Sequence, residues 1–340
     1  MRVSRRFVSV IGNGPEIKVP AYTYLERIFT VQNFLKQSFK LRKSVLVFGI
    51  AAIVSTNSFG WGAGGHMIVA QIAYDQISAD DPIAKAEVDR LLAIQIVPVS
   101  ITAKSTDFIN AAHWADDVRT VGGFTQTAGE HFIDYPFADD STTLPTDLPT
   151  ADNVVVALAK NVGILQSSTA DDQAKAQALR FVIHFVGDIH QPLHCSTHVS
   201  AANPEGDRGG NSVTIRHTVG NTHPKVNLHS YWDGGLDSFP KEGAHFAPPP
   251  LSEIPPAAAA ITAKYTLDPS WKNGGPFDYT GWSKESDQIA TTFVYQGIVD
   301  QQAPSADYVA KGTQIAQYRV LTAGYRLAAL LEAIWPNAHS

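Results

Sequence analysis

The sequence predicts an all-α domain with at most one small β-hairpin. Apolar residues recur at helical spacing in four long stretches, and strand-like character is confined to residues 212–217. The chain has 340 residues, and its single cysteine, Cys195, excludes any intramolecular disulfide. Packing alone must therefore hold the domain, and about 280 residues bury a sufficient core for that.

The first 60 residues read as separate from that domain. Lys40, Arg42 and Lys43 precede an apolar run over residues 45–54, and Ser58 and Gly60 place small residues three and one before Trp61. This is the pattern of a secretory signal peptide cut between Gly60 and Trp61. Ten apolar residues fall well short of the roughly 20 that cross a bilayer as a helix. Residues 1–39 carry no such pattern and fit a mis-assigned translation start. The expected mature part is thus a single domain over 61–340, exported to a periplasm or secreted. Its loss of nine Lys/Arg and two Glu leaves 17 basic against 30 acidic side chains, a net charge near −13. Such a chain offers no basic face to a phosphate backbone, so bound cations would have to attract a phosphodiester.

Within the domain, Ile68, Ile72, Ala73 and Ile77 mark a first helix, and Val154, Val155, Leu158 and Val162 a second. Leu179, Val182, Ile183 and Val186 form a stripe in a helix over 174–189 that Pro192 ends. Ile315, Tyr318, Leu321, Tyr325 and Ala329 mark a long last helix that stops before Pro336. The turn Asp207-Arg-Gly-Gly-Asn211 introduces the one convincing strand.

Four groups of residues carry chemistry. Cleavage before Trp61 would give a free α-amine, with an ordinary pKa of about 7.7–8, five residues from His66. An amine and an imidazole so close can share a metal. In His184-Phe-Val-Gly-Asp188, imidazole and carboxylate lie four apart on one helix face, and Pro192 lets His194 turn back toward them. His229-Ser-Tyr-Trp-Asp233 repeats the spacing, and Asp116-Asp117 and His131-Phe-Ile-Asp134 add an upstream set. One such pair is ordinarily a solvated or hydrogen-bonded helix pair; the recurrence points to metal. Imidazole, carboxylate and amine suit zinc without a thiolate. Cys195 reads as a small buried thiol, with a nucleophilic role as the alternative. His190 reads as a supporting or surface residue rather than a further ligand.

Trp61/His66, Trp114-Ala-Asp116-Asp-Val-Arg119, His131-Phe-Ile-Asp134, His184-Phe-Val-Gly-Asp188, Gln191-Pro-Leu-His194, Gly209-Gly-Asn211 and Asn227-Leu-His229-Ser-Tyr-Trp-Asp233 follow the order and spacing of the S1/P1 nuclease family. The resemblance covers residues 61–336 and implies the mainly helical fold shared with zinc phospholipases C. It implies three Zn2+ ions. Asp116, His131, His184 and Asp188 would hold the first, and His194, His229 and Asp233 the second. The Trp61 amine and carbonyl, His66 and a bridging Asp188 would hold the third. It also implies Phe132, Asp134 and Asn211 around a nucleobase and Arg119 near the phosphate. The expected activity is hydrolysis of single-stranded DNA and RNA to 5′-mononucleotides, with removal of 3′-phosphates, by a hydroxide bridging two zinc ions. Gly234 and Gly235 after Asp233 offer no platform for a second base. The rival readings are a zinc phospholipase C, which would need an interfacial apolar surface, and a non-catalytic zinc-binding protein of the envelope, which would need neither Arg119 nor a base pocket.

Overall fold

The computed structural model describes residues 60–121, 123–217, 225–243 and 247–336. These fall within one unit, Asn57–Ser340. The expected signal peptide lies outside the described residues. Among the described residues, no helix is long and apolar enough to cross a membrane.

The molecule is mainly helical, as expected. In chain order the helices are α1 (Ala63–Asp80), α2 (Pro82–Leu92), α3 (Val99–Thr102), α4 (Phe108–Ala111), α5 (Trp114–Val118), α6 (Val154–Gln166), α7 (Asp172–Asp188), α8 (Leu228–Asp233), α9 (Ile254–Lys264), α10 (Tyr279–Ile289) and α11 (Ala306–Ile334). Side-chain caps define several starts: Asn153 for α6, Asp171 for α7, Asn227 for α8 and Ser305 for α11 each accept from a backbone N–H of the first turn.

Helix α1 explains its unusual sequence. Every residue from Ala63 to Ala70 is buried, so the Ala-Gly-Gly start gives the small surfaces a helix needs when surrounded on all sides. The long α11 lies along α1, and Gly324 makes the approach possible: a Cβ there would meet Ile72 Cγ2 at 2.5 Å and Cβ at 2.6 Å. The last three turns of α7, Ala178 to Asp188, are likewise buried throughout. His66 on α1 and His184 and Asp188 on α7 thus sit inside the core.

Two short sheets complete the frame. Strand β3 (Thr214–Arg216) pairs antiparallel with β4 (Lys225–Asn227), Ile215 opposite Val226, and β4 runs into α8. The expected strand over 212–217 is therefore real but shorter. A second sheet was not anticipated: β1 (Tyr135–Phe137) pairs parallel with β2 (Ser196–His198). Three residues are too few to show alternation, and a parallel partner across α6 and α7 leaves no local turn signal. This pair ties residues 131–137 to 194–198, with Ile133 N–H donating to His194 O at 2.7 Å.

Because α1 carries His66, the α1–α11 contact matters to the site as well as to stability. Gly324→Ala is expected to cost about 1–3 kcal/mol by overpacking, lowering Tm by about 2–4 °C per kcal/mol. Calorimetry checks this; an unchanged Tm would mean that Ile72 yields without strain.

Candidate metal centre and active site

Asp188, at the end of α7, is the meeting point. Its Oδ2 lies 3.0 Å from His131 Nδ1 and 3.1 Å from His184 Nε2, and its Oδ1 lies 3.3 Å from His66 Nε2 and 3.6 Å from His194 Nδ1. Asp116 on α5 closes the same set, 3.7 Å from His131 Nδ1 and 3.8 Å from His184 Nε2. Arg119 stands one turn on, its Nη1 3.5 Å from Asp116 Oδ1. Beyond His194, the Nε2 atoms of His194 and His229 face each other at 3.1 Å, and His229 Nε2 lies 3.5 Å from Asp233 Oδ1.

Three groups of ligand-type atoms result: His66, His184 and Asp188; Asp116, His131 and His184; and His194, His229 and Asp233, all buried. Eight of the nine sequence-expected ligand positions are thereby brought together. The ninth, Trp61, is buried beside them, and its predecessor is instructive. A Cβ added at Gly60 would run into Asp188 Oδ1 and come 2.7 Å from His66 Nε2. The backbone before Trp61 therefore passes directly over the edge between His66 and Asp188.

The donor set fits a metal on observations of the protein itself. His184 Nδ1 donates to Ala112 O at 2.6 Å, His194 Nδ1 to His131 O at 2.8 Å, and His229 Nδ1 to Gly209 O at 2.6 Å. Rings held by Nδ1 in this way turn Nε2 inward, the nitrogen a metal would take. With each Nδ1 committed to a carbonyl, the Nε2 atoms of His194 and His229, 3.1 Å apart, are placed to share one cation. His66 Nδ1 and Nε2, His131 Nε2, Asp116 Oδ1 and Asp188 Oδ1 are buried without a hydrogen-bond partner, an expensive condition that a shared cation relieves.

Proton affinities follow the same logic. Burial disfavours the charge on His184, but Asp188 and Asp116 outweigh it and raise its pKa to about 9. Burial, with His184 beside it, lowers His66 to about 4. Burial opposes ionisation of Asp188, yet His184 and the hydrogen bonds from its neighbours hold the carboxyl well below the usual range. Burial and the Asp116, Asp188 and Glu242 charges push Asp233 well above it.

A cavity of about 90 Å³ adjoins this centre, lined by Phe132, Asp134, Leu193, Arg208, Asn211 and His229. The three expected base-pocket residues thus come together. On the other side of Asp233, a cleft of about 200 Å³ runs past Gly234 and Glu242. Its one ring, Phe239, is buried edge-on against Trp61 at 5.6 Å.

Family-level comparison agrees with this arrangement. Residues 61–336 match the family described as S1/P1 Nuclease. The chain belongs to the S1/P1 nuclease family. Endonuclease 4 of Arabidopsis thaliana is 26% identical over 297 residues, 82% of this chain and 90% of that protein. Nuclease S1 of Aspergillus oryzae is 27% identical over 295 residues, 82% and 92% of the two chains. Nuclease P1 of Penicillium citrinum is 30% identical over 176 residues, 51% of this chain and 57% of that one. As an S1/P1 nuclease the protein is a hydrolase acting on phosphodiester bonds.

Several residues in this S1/P1 nuclease site escaped the sequence reading. Gln191 Nε2 donates to Asp233 Oδ1 at 2.8 Å while its Oε1 accepts from Leu193 N–H. Glu242 Oε1 accepts from Ala63 N–H at 2.6 Å, bracing the start of α1 three residues before His66. Gln191 stood within a recognised motif, whereas nothing near Glu242 signals its contact. His190, expected as a supporting or surface residue, is buried, with Nδ1 bonded to Val186 O and Nε2 3.0 Å from Arg326 Nη1. It stands outside all three ligand groups. Cys195 is buried, its thiol pKa raised by that burial and its Sγ against Ile189 O, as a structural thiol should be.

Metal uptake should therefore release protons. His184, raised to about 9 by Asp188 and Asp116, holds a proton near neutrality in the metal-free protein and must lose it to ligate. Zinc affinity is expected to fall on acidification and to climb with pH up to about 9. Calorimetric titration in buffers of different ionisation enthalpy measures the release; a buffer-independent heat would contradict it.

Proposed function

We propose that the protein is a zinc-dependent, single-strand-preferring endonuclease that hydrolyses DNA and RNA to 5′-mononucleotides and removes 3′-phosphates from nucleotides. The observation that supports it most is the cluster around Asp188, where two ligand groups share His184 and a third, through His194, lies beside them within reach of a base-sized cavity. Three Zn2+ ions are assigned: one to Asp116, His131, His184 and Asp188, one to His194, His229 and Asp233, and one to the Trp61 amine and carbonyl, His66 and Asp188. Zinc supplies the positive charge a phosphodiester needs beside three carboxylates and lowers the pKa of water to about 7.

The chain's own residues do the rest. The buried Arg119 guanidinium, beside Asp116, presents a fork of donors to a phosphate oxygen. The half-buried Phe132 ring takes one base by stacking, and Asp134 and Asn211 supply polar groups at its edge. A base reaches that cavity only after leaving its stack, so duplex is the poorer substrate. Scission of the bond between phosphorus and the 3′-oxygen leaves the 5′-phosphate. The Phe132, Asp134 and Asn211 cavity favours this reading over a phospholipase C and over a zinc-storage protein.

Zinc-loaded protein is expected to degrade single-stranded DNA much faster than duplex, to yield 5′-phosphates, and to leave a phosphatidylcholine emulsion intact. Equal rates on single strand and duplex would remove the base-pocket argument, and 3′-phosphate products would reverse the leaving-group assignment.

The exported form would begin at Trp61. In an uncut chain the Trp61 nitrogen is an amide whose lone pair is lost to resonance, and Gly60 packs on His66 and Asp188. Cleavage frees both the space and the amine. Two forms, one starting at Trp61 and one with a single added Gly, are expected to differ: the extended form should hold one zinc ion fewer and lose most activity. Equal zinc content and equal rate in both would take the amine out of the site.

A further inference from the structure

The loop that holds His229 also carries a side chain with no part in holding it. Gly206, Gly209 and Gly210 adopt left-handed φ angles of 90°, 61° and 80°, and between them Arg208 does the same at 60°. Gly209 earns its place because its carbonyl orients His229 and a Cβ there would run into Leu193 O. That role explains a glycine at 209 and requires no arginine at 208, where an L side chain is strained. The strain is held by specific bonds: Arg208 N–H donates to Thr197 Oγ1 at 3.1 Å, and Arg208 O accepts from Asn211 Nδ2 at 2.8 Å. Strain maintained in this way is characteristic of functional positions.

What the conformation achieves is placement. Arg208 is exposed, yet it lines the same small cavity as Phe132, Asp134 and Asn211, and is the one permanent cation among the residues lining it. It lies close enough to Asp134 to act on it: burial and the Asp207 charge raise that carboxyl to about 7, and the Arg208 charge works against the rise. The cavity therefore offers an acceptor group and a rigid fork of donors along the edge of one stacked base.

We propose that Arg208 is a specificity-determining residue that makes guanine the preferred base at the cleaved nucleotide. Guanine presents N1–H and N2–H donors, which the Asp134 carboxylate accepts, and the O6 and N7 acceptors that an arginine fork matches bidentately. Adenine reverses the pattern against the ionised form of Asp134, turning a lone pair at N1 toward the carboxylate and an N6 donor toward the guanidinium. The proposal rests on the nuclease reading above. Its rival is a base-independent contact between Arg208 and a neighbouring phosphate.

The test uses the zinc-loaded protein, binding of 5′-GMP and 5′-AMP by calorimetry, and kcat/KM on the corresponding 3′-nucleotides. Two variants serve: Arg208→Asn, since asparagine tolerates the left-handed backbone, and Arg208→Lys, which keeps charge but loses the fork. Wild type is expected to favour guanine by at least about fivefold, the lower end for a bidentate pair. Both variants should lose that preference, mainly through affinity and KM, with unchanged zinc content and Tm. No guanine preference in wild type, or a preference that survives in both variants, would overturn the proposal. So would an equal loss for both bases in Arg208→Asn that Arg208→Lys restores, which is the signature of a phosphate contact. A wild type that binds no nucleotide and cleaves no single strand would instead overturn the nuclease reading itself.

Discussion

A single buried carboxylate organises this molecule. Asp188 sits at the C-terminal end of α7, where unpaired carbonyls make the local potential negative and an anion is disfavoured. It is also fully removed from water, which costs several kcal/mol for an unpaired charge. Both penalties are offset by the imidazoles around it: His184, which it helps raise to about 9, and His131 stand at Oδ2, with His66 and His194 beside Oδ1. Those imidazoles come from α1, from the segment before β1, from α7 and from the turn after it. Three separated stretches of chain must therefore reach one point. The buried faces of α1 and α7 and the parallel β1–β2 pair are the means by which they do.

Orientation comes from backbone carbonyls rather than from side chains. His184, His194 and His229 each donate from Nδ1 to a carbonyl and turn Nε2 toward the centre. The carbonyls belong to Ala112, His131 and Gly209, so the end of an α-helix, the end of a 3-10 helix over Thr125–His131 and a left-handed turn are all parts of one site. His190 is the informative contrast. Only two residues beyond Asp188, it has Val186 O on one nitrogen and Arg326 on the other. With both nitrogens engaged it is confined to bracing the end of α7, where Arg319 also binds its carbonyl. Identity and position along the chain do not separate a ligand from a brace; the partner of the second nitrogen does.

That distinction explains how far the sequence could be read. The long helices were legible because apolar periodicity over three or more turns marks a core-facing side: the stripes at Ile68 to Ile77 and Leu179 to Val186 are buried on α1 and α7, while that at Ile315 to Ala329 falls on α11 with only Leu321 fully buried. The His and Asp set was legible because ligand spacing is written locally as i, i+4 pairs. The β1–β2 pair was not, because three-residue strands carry no period and their pairing is set by what the intervening helices bring together. Glu242 and Arg208 escaped for a related reason. Each acts across a long separation, one on the start of α1 and the other beside Asp134; nothing near Glu242 marks it, and Arg208 stands in a recognised turn whose glycines account for the turn without it. Gly60 is the most compressed case. As sequence it is a small residue before a cleavage position; in three dimensions it is the only residue type that fits against Asp188.

Overall charge and the charge of the site pull in opposite directions, and the architecture resolves this locally. The domain is strongly acidic, so its surface does not gather nucleic acid from a distance. Under the proposed function, attraction has to be concentrated where cations, Arg119 and Arg208 stand within a short reach of one another. A cavity of about 90 Å³ suits one base rather than a track of several, and the cleft beyond Asp233 has its only ring turned inward against Trp61. Binding strength must then come from one stacked base and one phosphate, both of which a single strand exposes and a duplex conceals. Preference for single strands, on this view, requires no device that rejects a duplex. It follows from an acidic protein that holds its substrate at one nucleotide.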